Sequence, residues 1–160
     1  MEEVFVLSSL GNKISDMVNK IRFLPVSPDF GYLPKIATEQ GFFVFGDKES
    51  FLKTYEIHSA PEVVSTLDFS KFYLVGVHQG LRPTGGYRIH VRGIKRSAGR
   101  IEISLEFQEP EPDQIVTLAM TTPSVFFLVP RQKEEKAPPV FVFESTGGIP
   151  LAERKPEFGK

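Results

Sequence analysis

Residues 81–108, LRPTGGYRIHVRGIKRSAGRIEISLEFQ, restrict the possible folds of this chain more than any other stretch. Tyr87, Ile89 and Val91 alternate with Arg88, His90 and Arg92. That period of two suits an extended strand with one apolar face and no other regular structure. The alternation slips at Gly93, because the next apolar residue is Ile94, and a glycine at a phase slip marks a β-bulge. On the return run Ile101, Ile103, Leu105 and Phe107 point one way, and Glu102, Ser104, Glu106 and Gln108 the other. A hairpin of this kind has to cover its apolar face with a second layer. The rest of the chain offers such layers: GFFVFG at 41–46, FYLVGV at 72–77, IVTLAM at 115–120, SVFFLV at 124–129 and VFVF at 140–143 all read as strands. SVFFLV is apolar on both faces and reads as central, while VFVF is the edge candidate. The fold class predicted is α+β and β-dominated, a mainly antiparallel sheet or sandwich of six to eight strands with an N-terminal helix and one or two short helices.

The helical signals lie in the first half. Val4–Leu7 reads as a short strand or the lead-in to a helix. Asn12 is placed as an N-cap, and Ile14, Met17, Val18 and Ile21 share one face of a helix that Pro25 ends. Residues 24–40 form an ordered loop in which Phe30, Tyr32, Leu33 and Ile36 seek burial. Asp47 caps a helix carrying Phe51, Leu52 and Tyr55. Ser59 and Glu62 have capping-box spacing, with Pro61 in the first turn of a helix through Leu67. EPEPDQ at 109–114 is an acidic turn, and RQKEEKAPP a charged connector. The chain reads as a single domain over 1–160. Residues 1–66 are its helical and extended part, 67–131 its β core, and 144–160 a loose polar tail.

Charge and composition exclude several functions. The 160 residues carry a net charge of -1, so no global field favours nucleic acid. Residues 82–100 hold Arg82, Arg88, Arg92, Lys95, Arg96 and Arg100 without an acid, and residues 101–114 hold Glu102, Glu106, Glu109, Glu111 and Asp113 without a base. Folded as a hairpin, the halves neutralise each other, with Arg88 facing Glu106 and Arg92 facing Glu102. Cysteine is absent, which removes disulfides and thiolate chemistry. His58, His78 and His90 match no metal-ligand spacing, and no GxSxG, GxGxxG or GxxxxGK motif occurs, so neither a metal, a cofactor nor an enzymatic activity is expected. No run reaches the roughly 18 apolar residues of a membrane span. The acidic start, with only a short apolar run, does not read as a signal peptide, which points to a cytoplasmic location.

The remaining candidate is the turn Arg82-Pro83-Thr84-Gly85-Gly86-Tyr87. Two glycines allow positive φ and can aim successive N–H groups at one point, an anion nest to which Arg82 adds charge. The plainer reading is a tight strand-entry turn. This turn also carries a family resemblance. Asp68-Phe69-Ser70, a strand, Gly80, R-P-T-G-G-Y, a hairpin bent at Gly99, a proline-containing turn at 110–112 and Thr121-Thr122-Pro123 before a last apolar strand together resemble the C-terminal domain of PrcB-type proteins over residues 67–131. PrcB is an accessory subunit of a bacterial surface protease complex. Family members often carry an aromatic residue where this chain has Ser124. The resemblance implies a mostly β domain, often exported or lipid-anchored, that works through protein association. The function expected is therefore a non-enzymatic protein-interaction domain, an accessory or stabilising subunit of a protease or cell-envelope complex. The alternative is a small-ligand or anion-binding β domain whose site comprises Arg82, Thr84, Gly85, Gly86, Tyr87 and Arg88.

Overall fold

A computed structural model of the chain describes residues 20–26 and 35–159. In chain order its elements are β1 (Leu24–Val26), a 3-10 turn (Lys35–Thr38), β2 (Gln40–Phe45), α1 (Lys48–Tyr55), α2 (Glu62–Ser65), β3 (Phe72–Gln79), β4 (Arg88–Ser97), β5 (Arg100–Gln108), β6 (Ser124–Pro130), β7 (Val140–Ser145) and β8 (Ile149–Arg154). The strands make two four-stranded sheets, ordered β1-β6-β3-β2 and β4-β5-β7-β8. Every pairing is antiparallel except β5 with β7. The fold is α+β and dominated by antiparallel sheet, as the alternation predicted.

Strand alternation builds two cores on the first sheet. Phe42, Val44, Tyr73, Val75, Val77, Phe127 and Val129 face the second sheet, where Ile94, Ile101, Ile103, Leu105, Phe141 and Phe143 meet them. The intervening residues Phe45, Leu74, Phe126 and Leu128 point the opposite way and are covered by Phe51 and Tyr55 of α1 and Val64 of α2. Helices, first sheet and second sheet thus form three layers. Each fully buried Phe or Ile in them contributes about 1.5–3 kcal/mol through the hydrophobic effect. α1 begins where expected: the Asp47 carboxylate accepts from the Ser50 N–H at 2.8 Å. Gly76, mid-way along β3, lets aromatic rings close over the sheet, since a Cβ there would lie 2.8 Å from Phe126 Cε1 and 3.2 Å from Tyr55 Oη.

Several expectations are corrected. IVTLAM is no strand: residues 115–120 run as an irregular, mostly exposed segment. β6 is already flanked by β1 and β3, and the second edge of β5 is taken by β7, so those edges have no vacancy for it. VFVF is interior rather than an edge, because the supposed loose tail supplies β8 against it. Gly147 and Gly148, at φ 100° and 80°, turn the chain for that pairing. The tail then continues along the first sheet, with the Glu157 N–H donating to the Val44 carbonyl at 2.8 Å. Pro25 does not end a helix; it sits in edge strand β1, where a missing N–H is tolerated. Ile21 is extended, its N–H on the Ile94 carbonyl at 2.8 Å. The rest of the proposed N-terminal helix, Val4–Leu7, Phe30, Tyr32 and Leu33 lie outside the described residues. α2 starts from Pro61 with no side-chain cap, so Ser59 and Glu62 form no capping box.

Candidate functional site

The β4–β5 hairpin places the expected bulge between Val91 and Gly93, leaving Arg92 as the extra residue. The turn, which pairs Ser97 with Arg100, sets a register different from the one expected. Arg92 pairs with Glu106, Arg88 lies opposite Gln108, and Lys95 lies opposite Glu102, so the pairs Arg88–Glu106 and Arg92–Glu102 do not form. The hydrogen bond between them lowers the pKa of Glu106 and raises that of Arg92. Arg92 and Glu106 form an ion pair across the hairpin, whereas Arg96 donates to the Pro130 carbonyl and Arg100 contacts Glu153, both outside it.

Upstream, the turn between β3 and β4 is latched by residues 117–121. The Arg82 and Thr121 backbones exchange hydrogen bonds at 2.7 and 2.9 Å. The Gly85 N–H donates to the Thr117 carbonyl at 2.9 Å, and the Thr121 hydroxyl donates to the Thr84 carbonyl at 2.7 Å. Gly86 holds φ 90°, and a Cβ on it would lie 2.8 Å from Pro110 Cβ and 2.9 Å from Val116 Cγ1. The Arg82 guanidinium carbon sits 5.6 Å from the centre of the Tyr87 ring. Arg82, Thr84, Gly85, Gly86, Tyr87 and Arg88 are therefore consecutive at one end of the molecule, as their sequence requires. The N–H groups of Arg82 and Gly85 are already donated to the chain's own carbonyls and are not available to an anion. Arg82 Nε and Gln79 Oε1 are buried there without a hydrogen-bond partner among the described residues.

The latch has a second consequence. It fixes the backbone of 117–121 while Ile115, Leu118 and Met120 stand 98%, 89% and 66% exposed, with Leu81 at 44% beside the Arg82–Thr121 bridge. Glu109, Glu111 and Asp113, all exposed, precede them. A contiguous exposed apolar patch is a mark of contact surfaces, whereas single scattered side chains are ordinary. The sequence signal for this surface, the apolar content of IVTLAM, was legible; its reading as a strand hid it.

A buried polar group lies on the opposite side of the same strands. His78, 1% exposed, has Nε2 2.6 Å from the Tyr55 hydroxyl and Nδ1 2.7 Å from the Ser124 hydroxyl, which also donates to the Thr122 carbonyl at 3.1 Å. Burial pushes the imidazole pKa down to about 4 and the Tyr55 phenol up, so both are neutral at pH 7. One assignment of protons that satisfies the chain has Tyr55 donate to Nε2, the Nδ1–H donate to Ser124, and Ser124 donate to Thr122. The group reads as a satisfied polar element of the core. Nothing local in the sequence marks it, because its members are 23 and 46 residues apart. His58 is exposed, and His90 Nε2 lies 2.6 Å from Gln108 Oε1 on the hairpin surface. The three histidines are not brought together, and among the described residues no group of three His, Asp or Glu side chains could hold a metal ion.

Residues 73–130 run from β3 through the latched turn, the hairpin and the 109–123 segment to the end of β6, and they match the family model described as PrcB C-terminal. This stretch is a PrcB C-terminal-like region. The turn and its latch both fall inside it, whereas β1, β2, both helices, β7 and β8 lie outside. No curated protein and no solved structure matches the chain. The PrcB C-terminal-like region therefore contributes the two central strands β3 and β6 and the whole β4–β5 hairpin, and the flanking segments complete both sheets around it.

Proposed function

We propose that this chain is a non-enzymatic protein-interaction domain that serves as an accessory or stabilising subunit and contacts its partner through residues 115–120. The observation that carries the reading is the exposure of Leu118 and Met120 between the Thr117 and Thr121 anchors, with Ile115 just before them. An apolar segment already fixed in one conformation loses little entropy on docking, which favours affinity. The acidic approach from Glu109 to Asp113 suits an apolar groove with a basic rim on the partner. The likeness to PrcB supports a protein partner, with a protease or envelope complex as its class.

The test is a double substitution, Ile115→Glu with Leu118→Glu. Both side chains are almost fully solvated, so the folded protein should keep its stability within about 0.5 kcal/mol. Affinity capture from the native organism should recover a stoichiometric partner with the wild-type chain and lose it with the double variant. Absence of any stoichiometric partner, or full retention by the variant, would count against the reading.

A further inference from the structure

A cavity of ≈ 280 Å³ lies between the β4–β5 turn and the connector from β6 to β7, away from the latched loop. Its walls carry opposite charges. Arg96 and Arg100 come from the hairpin, and Gln132, Glu134, Glu135 and Lys136 come from the connector.

Glu135 is held in place from behind. Its Oε2 accepts from the hydroxyl of fully buried Tyr73, and Arg131 Nη2 lies 3.6 Å from the same oxygen. Arg131 is itself fixed over the Tyr73 ring at 4.6 Å and donates to the Phe69 carbonyl at 2.9 Å. The Glu135 side chain is only 10% exposed, and its other oxygen, Oε1, is buried with no hydrogen-bond partner among the described residues. A carboxylate oxygen without a donor is an unfavourable end state for a folded protein. Glu135 also lines the cavity. On the opposite wall, Arg96 is anchored by its hydrogen bond to the Pro130 carbonyl, whereas Arg100 has only a 3.7 Å contact with Glu153. Lys136 adds a third positive charge, so the lining carries three cations against two anions.

We propose that this cavity binds a small zwitterion of the α-amino-acid type. Its ammonium group pairs with the Glu135 carboxylate, and its carboxylate is held by Arg96 and Arg100. A cation alone would meet a lining of net positive charge, and a simple anion would leave Oε1 without a donor. A ligand with both groups a few ångströms apart answers both conditions, and a volume of ≈ 280 Å³ admits an amino acid.

The experiment is a titration of ¹⁵N-labelled protein followed by amide chemical shifts. L-alanine and L-glutamine are the zwitterionic probes, and acetate and methylamine the half-ligands. Saturable shifts at 96–100 and 131–139 are expected with the zwitterions, at an affinity at least about tenfold above either half-ligand. Glu135→Gln should weaken binding by about tenfold or more. Arg100→Ala, at an exposed position that leaves the core intact, should also weaken it and decides the matter if the Glu135 variant fails to fold. Lack of saturable shifts with both zwitterions, acetate binding as tightly as alanine, or undiminished binding in Arg100→Ala would each overturn the proposal.

Discussion

His78 shows how a single residue ties stability to pH. Its folded pKa, about 4, lies below the roughly 6.5 of an unfolded histidine, so folding favours the neutral form. The contribution is fully present above pH 6.5 and is lost as pH falls toward 4, a change on the order of 3 kcal/mol. Thermal melts from pH 7 to pH 4.5 should show a steep decline that His78→Gln flattens, with the variant less stable at neutral pH. An equal decline in both proteins would show that other groups carry the acid response. Gly86 sets a second test at this scale. With φ at 90° and Pro110 and Val116 within 3 Å of a would-be Cβ, Gly86→Val should cost more than about 2 kcal/mol, read as a lower denaturant midpoint. The need for glycine here was legible from the Gly85-Gly86 pair. The His78 network was not, since a lone histidine in an apolar run gives no sign of where its partners will come from.

At the scale of elements, local pattern identified strands well and neighbours poorly. The bulge at Gly93 and both hairpin strands follow directly from alternation. Which acid meets which base does not, because the short Ala98-Gly99 turn pairs Ser97 with Arg100 and so sets a register that alternation alone leaves open. β8 escaped notice for another reason: Pro150, Glu153 and Arg154 dilute the apolar signal, and the strand is stabilised mainly by the β7 backbone and by the packing of Leu151 and Ala152. The segment IVTLAM shows the converse, an apolar run that latches the β3–β4 turn by backbone hydrogen bonds and joins neither sheet. Removing residues 149–160 should therefore expose the β7 edge, whose Phe141 and Phe143 are fully buried in the intact chain. The expected result is a lower melting temperature and concentration-dependent association in size-exclusion chromatography. A monomer with an unchanged melt would show that β8 is dispensable.

Across the whole molecule, the first sheet is shared between two cores, and this predicts how the molecule unfolds. Along β3, Tyr73, Val75 and Val77 serve the space between the sheets, while Leu74 and His78 serve the helix side; β2 and β6 alternate in the same way. The helix layer cannot be lost without uncovering the back of strands whose fronts hold the sandwich together. Phe51, under α1, and Phe127, between the sheets, are both 0% exposed, and truncating either to alanine should cost about 3–5 kcal/mol. That is a large part of the 5–15 kcal/mol typical of a domain. Because β3 and β6 couple the layers, Phe51→Ala and Phe127→Ala should each lower one common transition rather than split it. Monitoring far-UV circular dichroism and the near-UV tyrosine signal together checks this, since Tyr55 belongs to the helix side and Tyr73 to the inter-sheet core. Coincident curves are expected in the wild type and in both variants. A tyrosine transition in Phe51→Ala that precedes the loss of strand signal would instead make the helices a separate, weaker unit resting on an independently stable sandwich.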